Sequence, residues 1–220
     1  EEGYGPIGDP SAFLEIHARR EKILYAGAND GMLHAFGAGV FQNGDNPATP
    51  TTTEAGYYTV GDGIERFGYV PGFLLSELKR LPLAGAKPYF VDGQITVADA
   101  WFPSSSSDVD KDTREWTTSL VTGMRNGGRG YLARDITDPQ ALLATDEHGP
   151  YPKLLWEFND PSEPLGRSWS KAVITRIKLK GSFSQDLCGT DDGDGADGVV
   201  AGNCRERWVA IFGGGYLEQA

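Results

Sequence analysis

The sequence has no long apolar run and few basic residues. No segment approaches the ~18 consecutive apolar residues that a membrane-spanning helix needs, so we predict no such helix. Lysine and arginine total 20 against 31 aspartates and glutamates, which gives a formal net charge of −11. Because phosphate binding needs a basic patch and none is visible, this balance argues against a nucleic-acid partner. The 30 glycines and 13 prolines argue against a helical bundle, whereas 39% hydrophobic residues are enough for a folded core.

Cysteine is also scarce, since Cys188 and Cys204 are the only two. Neither belongs to a C-x-x-C pair, and the local sequence offers too few further ligands for zinc. The segment between them is acidic and rich in turn residues, so we predict a disulfide that closes an insertion over residues 188–204, worth ~3 kcal/mol. Two buried free thiols are the alternative and fit a polar loop badly. A disulfide implies an oxidising location, namely the periplasm, the cell surface or the outside.

The residue pattern predicts an all-β fold with two short helices. Asp9 and Pro10 suit the start of a helix over 9–20, and leucines at 74, 75, 78 and 81 predict a second helix over 72–81. Asn29-Asp30-Gly31 predicts a tight hairpin turn. About eleven short apolar or alternating segments predict strands, at 23–28, 32–36, 57–60, 64–70, 88–91, 95–101, 116–121, 131–136, 153–158, 172–177 and 208–212.

A glycine-bounded pattern repeats along the chain and favours a β-propeller over other all-β folds. It occurs in 26–36, more loosely in 122–135, and begins again at 212–217. A closed propeller needs at least ~4 four-stranded blades, and eleven strands make about three. The chain also starts at Glu1 rather than at a methionine. We therefore expect residues 1–220 to form part of one propeller domain that continues beyond the chain.

Several sequence blocks resemble a known family. Residues 24–36, L-Y-A-G-A-N-D-G-M-L-H-A-F, resemble the first blade signature of the type IV pilus tip-adhesin and assembly family, the PilY/PilC type. Ordered blocks are far more specific than a single Asn-Asp-Gly turn. Later blocks follow the same family in order: FGYVP at 67–71, YFVDG at 89–93, WTTSLV at 116–121, GGRGY at 127–131, ITDP at 136–139, LWEF at 155–158 and WVAIFG at 208–213.

The resemblance implies a fold and a function. Members carry a modified seven-bladed, quinoprotein-like propeller, act as non-enzymatic adhesins at the pilus tip, prime pilus assembly, and take part in calcium-controlled retraction. Implied partners are minor pilins and a host or abiotic surface, and the implied location is extracellular after export through the periplasm. The chain departs from the family at Gly37, where Asp is common, at Arg134, and in the 188–204 insertion. The family's best-known calcium loop lies further along the propeller, so its ligands are not carried over.

An acidic loop within the insertion is the strongest candidate for a metal site. Calcium prefers six to eight oxygen ligands, and alternating carboxylates with turn glycines can wrap one ion. The sequence T-D-D-G-D-G-A-D-G at 190–198 has Thr190 rather than Asp at the first position and no Glu at the twelfth. A calcium site and a solvated acidic loop both remain open. The candidate ligands are Asp191, Asp192, Asp194 and Asp197.

Other motifs favour structural explanations. Asp108, Asp110 and Asp112 alternate but lack a turn glycine, so a surface loop is favoured over a second metal site. Gly123–Gly130 resembles a phosphate-binding loop, but Arg replaces Lys and a strand is expected to follow, so we reject it. The three histidines, His17, His34 and His148, lack neighbours at metal-ligand spacing, and His34 is expected to face inward from its strand.

Two other functions fit the same architecture. A quinone-dependent dehydrogenase would use a related propeller with calcium, but its Trp-docking glycine corners and adjacent Cys-Cys pair are absent from this sequence. An extracellular carbohydrate- or matrix-binding propeller would need an aromatic groove that binds free sugar. The pilus family remains the preferred interpretation.

Overall fold

Antiparallel strands dominate the structure, a computed structural model that describes residues 3–6, 8–82, 88–102, 111–159, 165–180 and 204–215. The strands form a three-stranded sheet, a four-stranded sheet and two separate pairs of strands. Each sheet or pair is built from strands that are close to one another along the chain. Among the helices within these ranges, none is long and apolar enough to cross a membrane. The predicted all-β fold is confirmed.

The first sheet is built around the predicted hairpin. Strands β1 (Lys22–Gly27) and β2 (Leu33–Gly39) pair antiparallel, and β5 (Glu65–Tyr69) adds to the other edge of β2. The amide of Ala28 donates to the carbonyl of Met32 at 3.0 Å, which closes the turn at Asn29–Gly31. A separate pair, β3 (Phe41–Asn43) and β4 (Gly56–Tyr58), projects from the β2–β5 connection.

The second sheet is a complete four-stranded meander. It contains β6 (Thr96–Trp101), β7 (Trp116–Gly123), β8 (Tyr131–Asp135) and β9 (Lys153–Phe158), each hydrogen-bonded to the next. A final pair, β10 (Val173–Lys180) and β11 (Cys204–Ile211), follows. The Thr96 hydroxyl donates to the Ala172 carbonyl at 2.8 Å, so β10 starts beside β6. This serial arrangement of antiparallel sheets is the arrangement of propeller blades.

The helices are shorter than predicted. Helix α1 covers Phe13–Ile16, because the Asp9 carboxylate accepts bonds from the Ser11 amide and hydroxyl and so closes a turn ahead of the helix. Over Gly72–Arg80 the chain forms a 3-10 helix rather than an α-helix, and two of its predicted core leucines, Leu75 and Leu81, are exposed. Shorter 3-10 turns cover Thr113–Glu115 and Arg125–Gly127.

Two strand predictions need correction. Residues 88–91 form no strand, because the Val91 amide donates to the Ala28 carbonyl of the β1–β2 hairpin instead of joining a ladder. The pair β3 and β4 includes a strand at Phe41–Asn43 that the Gly-, Asn- and Thr-rich surroundings concealed.

The main apolar core joins the first two sheets. Leu33 of β2 and Leu120 and Leu132 of the second sheet are fully buried within it, together with Phe90 and Val91 of the connecting segment. A second cluster consists of Phe13, Trp101 and Trp116, against which Tyr4 and Trp208 pack. A third lies between the second sheet and β10–β11 and includes Val121, Ala133 and Ala172.

The N-terminal segment is fastened to the second sheet by polar contacts. The Tyr4 hydroxyl donates to Asp99 at 2.9 Å, and the Arg20 guanidinium donates to the Thr118 hydroxyl at 2.7 Å and the Thr137 carbonyl at 3.0 Å. These bonds link residues before β1 to strands about a hundred positions later. The described residues before β1 are therefore held against the folded core.

Candidate functional site

The predicted calcium and disulfide residues lie mainly outside the described residues. Asp191, Asp192, Asp194, Asp197 and Cys188 all fall there, so the calcium site and the Cys188–Cys204 disulfide stay predictions. Cys204 itself begins β11.

The second acidic run is only partly described. Asp108 and Asp110 lie outside the described residues, whereas Asp112 accepts a bond from the Arg114 amide at 2.9 Å and caps a 3-10 turn. Within the ranges that the structure covers, no group of three or more His, Cys, Asp or Glu side chains could hold a metal ion.

Three of the family-like sequence blocks, at 24–36, 89–93 and 127–131, meet at one junction formed by residues 90–93 between the first two sheets. Val91 binds the β1–β2 hairpin through the Ala28 carbonyl, 3.2 Å from its amide. On the other side, Phe90 abuts the β7–β8 connection at Gly127, where an added Cβ would lie 1.6 Å from the Phe90 carbonyl oxygen. A glycine is required there because the two backbones leave no room for a side chain. The FVDG block is thus the wedge that joins two blades.

Ser168 secures the far side of this junction. Its fully buried hydroxyl accepts a bond from the Met124 amide at 2.8 Å and donates to the Gly130 carbonyl at 2.7 Å. The Ser168 carbonyl in turn accepts a bond from the Arg125 amide at 3.2 Å. The loop at 124–130, which resembled a phosphate-binding loop, is therefore held from both sides, and strand β8 follows it as expected.

His34 lies between two carboxylates in the first sheet. Its Nε2 is 2.9 Å from Asp30 Oδ2, and its Nδ1 is 2.6 Å from Glu65 Oε1. The bonds to Glu65 and then Asp30 outweigh desolvation and raise the pKa of His34. The expectation that His34 faces inward is wrong, because Leu33 and Ala35 occupy the buried face of β2 and His34 lies on the other face. The sequence pattern did not indicate its two partners, Asp30 at 4 residues before it and Glu65 at 31 residues after it.

A buried Asp–His pair lies at one end of the second sheet. His148 Nδ1 is 3.0 Å from Asp135 Oδ2, while Asp135 Oδ1 accepts bonds from the amide and hydroxyl of Thr137. The His17 ring packs edge-on against His148 with centroids 5.6 Å apart. Burial, followed by the charges of Arg20 and His148, lowers the pKa of His17 to about 4. The pair connects the end of β8 to the loop before β9, and sequence reasoning missed it because its members are 13 residues apart and His148 lies in irregular structure.

The two ends of the second sheet carry opposite charge. Successive connections of an antiparallel meander alternate between its ends. Among the described residues, we call the end formed by 70–82, 88–95, 124–130, 159 and 165–172 the basic end, and the end formed by 102, 111–115 and 136–152 the acidic end. Among the described residues, the basic end carries Lys79, Arg80, Arg125, Arg129, Arg167 and Lys171 against Glu77 and Asp92, and the acidic end carries Asp112, Glu115, Asp138, Asp146 and Glu147 against Lys111 and Arg114.

Comparison with known proteins agrees with this architecture. The family model described as the PilY1 beta-propeller domain matches residues 2–171. That match ends before β10, so the cysteine-bounded loop lies outside it.

Curated relatives agree with the family match, and one solved structure is similar to part of the chain. The chain is 32% identical over 177 residues to the type IV pilus biogenesis factor PilY1 of Pseudomonas aeruginosa strain PAO1, covering 78% of the chain and 12% of that protein. It is 29% identical over 216 residues to a PilY1 homolog of Xylella fastidiosa, covering 94% of the chain and 10% of that protein. The crystal structure of the Pseudomonas aeruginosa PilY1 C-terminal domain matches 93% of the chain and 26% of its own length, with a TM-score of 0.49 and 27% identity. The family model and the curated relatives show that the chain belongs to the PilY1 β-propeller family of type IV pilus biogenesis factors, as its sequence blocks predicted.

Proposed function

We propose that this chain is a rigid, non-catalytic part of a type IV pilus biogenesis factor that is exposed at the pilus tip and contributes to adhesion. The family assignment over residues 2–171 is the observation that supports the pilus role most directly. The wedge at residues 90–93 supports the scaffold role, because it joins two blades through buried residues and leaves their connecting loops at the surface. The partners would be minor pilins and the surface to which the cell attaches.

The pilus role is tested by deleting the gene for the full-length protein in its own organism and then complementing the deletion. Deletion is expected to reduce surface pili, counted by electron microscopy, and the complemented strain is expected to recover them. Unchanged pilus numbers in the deletion strain would contradict the assignment of this chain to pilus biogenesis.

The adhesin role needs a separate measurement, because loss of pili alone also reduces attachment. Antibody-gold labelling of sheared pili is expected to place the protein at one end of each fibre. Antibody against this chain is then expected to block attachment while pilus numbers stay constant. Labelling along the fibre, or unblocked attachment by fully piliated cells, would contradict a tip adhesin.

We also propose that the loop at 190–198 binds calcium through Asp191, Asp192, Asp194 and Asp197, and that a Cys188–Cys204 disulfide closes the loop. A ligand that binds the folded state alone raises the melting temperature by mass action. We predict that millimolar calcium, compared with EGTA, raises the melting temperature of the full-length protein and that D192A/D194A reduces this rise.

The double variant D108A/D110A provides a matched control, because it removes the same charge from the other acidic run. It is expected to keep the calcium effect. An unaltered rise in D192A/D194A would remove the 190–198 loop from calcium binding. Mass spectrometry without reduction tests the disulfide, which would lower the mass of the peptide pair by two hydrogens.

We further propose that β10 and β11 are two strands of a third blade whose remaining strands lie elsewhere in the propeller. A cleft of about 380 Å³ beside this pair is lined by apolar side chains of β9 and β11, among them Leu155, Phe158 and Val209. Ser119 Oγ and Trp208 Nε1, which also line it, are buried without a hydrogen-bond partner among the described residues. Residues 1–220 alone are thus expected to bind more of a hydrophobic dye than the whole propeller, and equal dye binding would oppose this proposal.

A further inference from the structure

The basic end contains a cleft whose walls hold three arginines. The cleft has a volume of about 350 Å³ and lies between the 3-10 helix at Gly72–Arg80, the loop at 124–130 and the segment at 165–170. Arg80, Arg129 and Arg167 line it, and Glu77 is the one carboxylate among the lining residues that the structure describes. Three arginines thus line one cleft in a protein whose net charge is −11. A focused positive potential of this kind attracts an anion against the overall charge of the molecule.

The walls of the cleft are preformed. The loop at 124–130 is fixed by the Ser168 hydroxyl and by the close approach of Gly127 to Phe90. Arg167 Nη1 donates to the Asn126 carbonyl at 2.5 Å, which orients its guanidinium along the same loop. A site that is ordered before binding loses less entropy when a ligand arrives.

The charge of two of these arginines is directed toward solvent. Arg129 is exposed at the tip of the loop. Arg80 is 49% exposed and lies 3.4 Å from Glu77, itself 43% exposed, and such a surface ion pair is weak. Arginine presents several donors in one plane, which matches the two oxygens of a carboxylate. Of the described residues that line the cleft, Arg80 and Arg129 thus present two guanidinium groups beside the one carboxylate of Glu77.

Large side chains near the cleft indicate a polypeptide ligand. Trp169 is 45% exposed, and the Arg125 guanidinium lies 4.6 Å from the centroid of its ring. Tyr89 and Leu75, on the other loops of the same end, are 50% and 61% exposed. Tryptophan, tyrosine and arginine are the residues that contribute most to binding energy at protein interfaces. Their combination with the cleft favours a protein partner over a free inorganic anion.

We propose that the basic end is a docking surface for an acidic segment of a partner protein, with one carboxylate of that segment held in the arginine cleft. The carboxylate accepts from Arg80 and Arg129, and an apolar neighbour in the segment packs on Trp169. This surface is independent of the acidic loop at 190–198 and needs no calcium. Because its attraction is electrostatic, binding weakens as salt is added.

The test uses a fluorescent N-acetylated hexaglutamate peptide and the full-length protein, with anisotropy as the signal. We expect saturable binding that falls with sodium chloride, and no binding of a hexaglutamine peptide. Loss of one charged hydrogen bond weakens binding about tenfold, so R129Q and R80Q are each expected to raise the Kd by about that factor.

The matched control is R114Q, which removes the same charge from the acidic end. Its Kd is expected to equal that of the wild type, and all three variants are expected to keep the wild-type melting temperature. Absence of peptide binding, or an equal loss in R114Q, would overturn the proposal. So would a sulfated polysaccharide that binds through Arg129 while the peptide does not, because the partner would then be a glycan.

Discussion

At the residue scale, two of the three departures from the family pattern, Gly37 and Arg134, have physical explanations. Gly37 leaves room for Arg66, since an added Cβ would lie 2.4 Å from its Nη2. That guanidinium pairs with Glu21 at 2.5 Å and Asp62 at 2.8 Å. Arg134 is buried, and its guanidinium lies 3.8 Å from the centroid of the Tyr69 ring across the two sheets. Both departures come with contacts that sequence alone does not reveal.

His34 is expected to make stability depend on pH. Its folded pKa is raised above the unfolded value of ~6.5 by Glu65 and Asp30. The resulting stabilisation is fully present below pH ~6.5 and is lost as the pH rises through the raised pKa. We predict that the unfolding free energy of wild type exceeds that of H34Q by more at pH 5.5 than at pH 8.5, measured by urea titration. A difference that does not change with pH would show that His34 gains nothing from its carboxylates.

The glycines at 127 and 128 provide a matched pair for the blade junction. A Cβ at Gly127 would lie 1.6 Å from the Phe90 carbonyl oxygen, whereas a Cβ at Gly128 would make ordinary contacts with Leu74 at 3.5 Å and Met124 at 3.6 Å. We predict that G127A lowers the unfolding free energy by about 2–3 kcal/mol and that G128A changes it by less than about 1 kcal/mol. Equal effects in urea titrations would contradict the packing of the wedge.

At the element scale, Ser168 decides whether the loop at 124–130 keeps its shape. Replacing its hydroxyl leaves the Met124 amide and the Gly130 carbonyl without their buried partner. We predict that S168A lowers the unfolding free energy by about 1–3 kcal/mol and speeds hydrogen exchange of the Met124 amide. Ser76 is exposed, so S76A serves as the control and is expected to change stability by less than about 0.5 kcal/mol. Unchanged exchange at Met124 in S168A would contradict this role.

Local signals explain which elements could be predicted. The hairpin at Asn29–Gly31 and the strands of the second sheet were predictable because turn residues and apolar alternation specify them locally. The segment at 88–91 has the composition of a strand, but its hydrogen bonds go to a hairpin sixty residues earlier. The Asp135–His148 pair and the arginine cleft depend on which loops share an end of the sheet. Such placement follows from topology and not from spacing.

At the scale of the whole molecule, aromatic stacking attaches β10 and β11 to the second sheet. The Phe212 ring stacks on Tyr131 with centroids 3.9 Å apart and also packs near Trp156 and Phe158. We predict that F212A lowers the unfolding free energy by about 2 kcal/mol and speeds hydrogen exchange in β11. The adjacent Ile211 is 52% exposed, so I211A is expected to have less than half that effect. If hydrogen exchange in β11 stays as slow in F212A as in the wild type, other contacts attach the β10–β11 pair to the second sheet.

The bond between Arg20 and the Thr137 carbonyl has a consequence for the order of events during synthesis. Its partners are 117 positions apart. Phe13 likewise packs in one cluster with Trp101 and Trp116, which are synthesised much later. At ~5–20 residues per second, the ribosome needs on the order of ten seconds to make that stretch. During this interval Phe13 and Arg20 lack the partners that they have in the folded chain. The β1–β2 hairpin beside them can already close. The contacts of Phe13 and Arg20 are thus among the later ones to form, after residues 101–137 have been made.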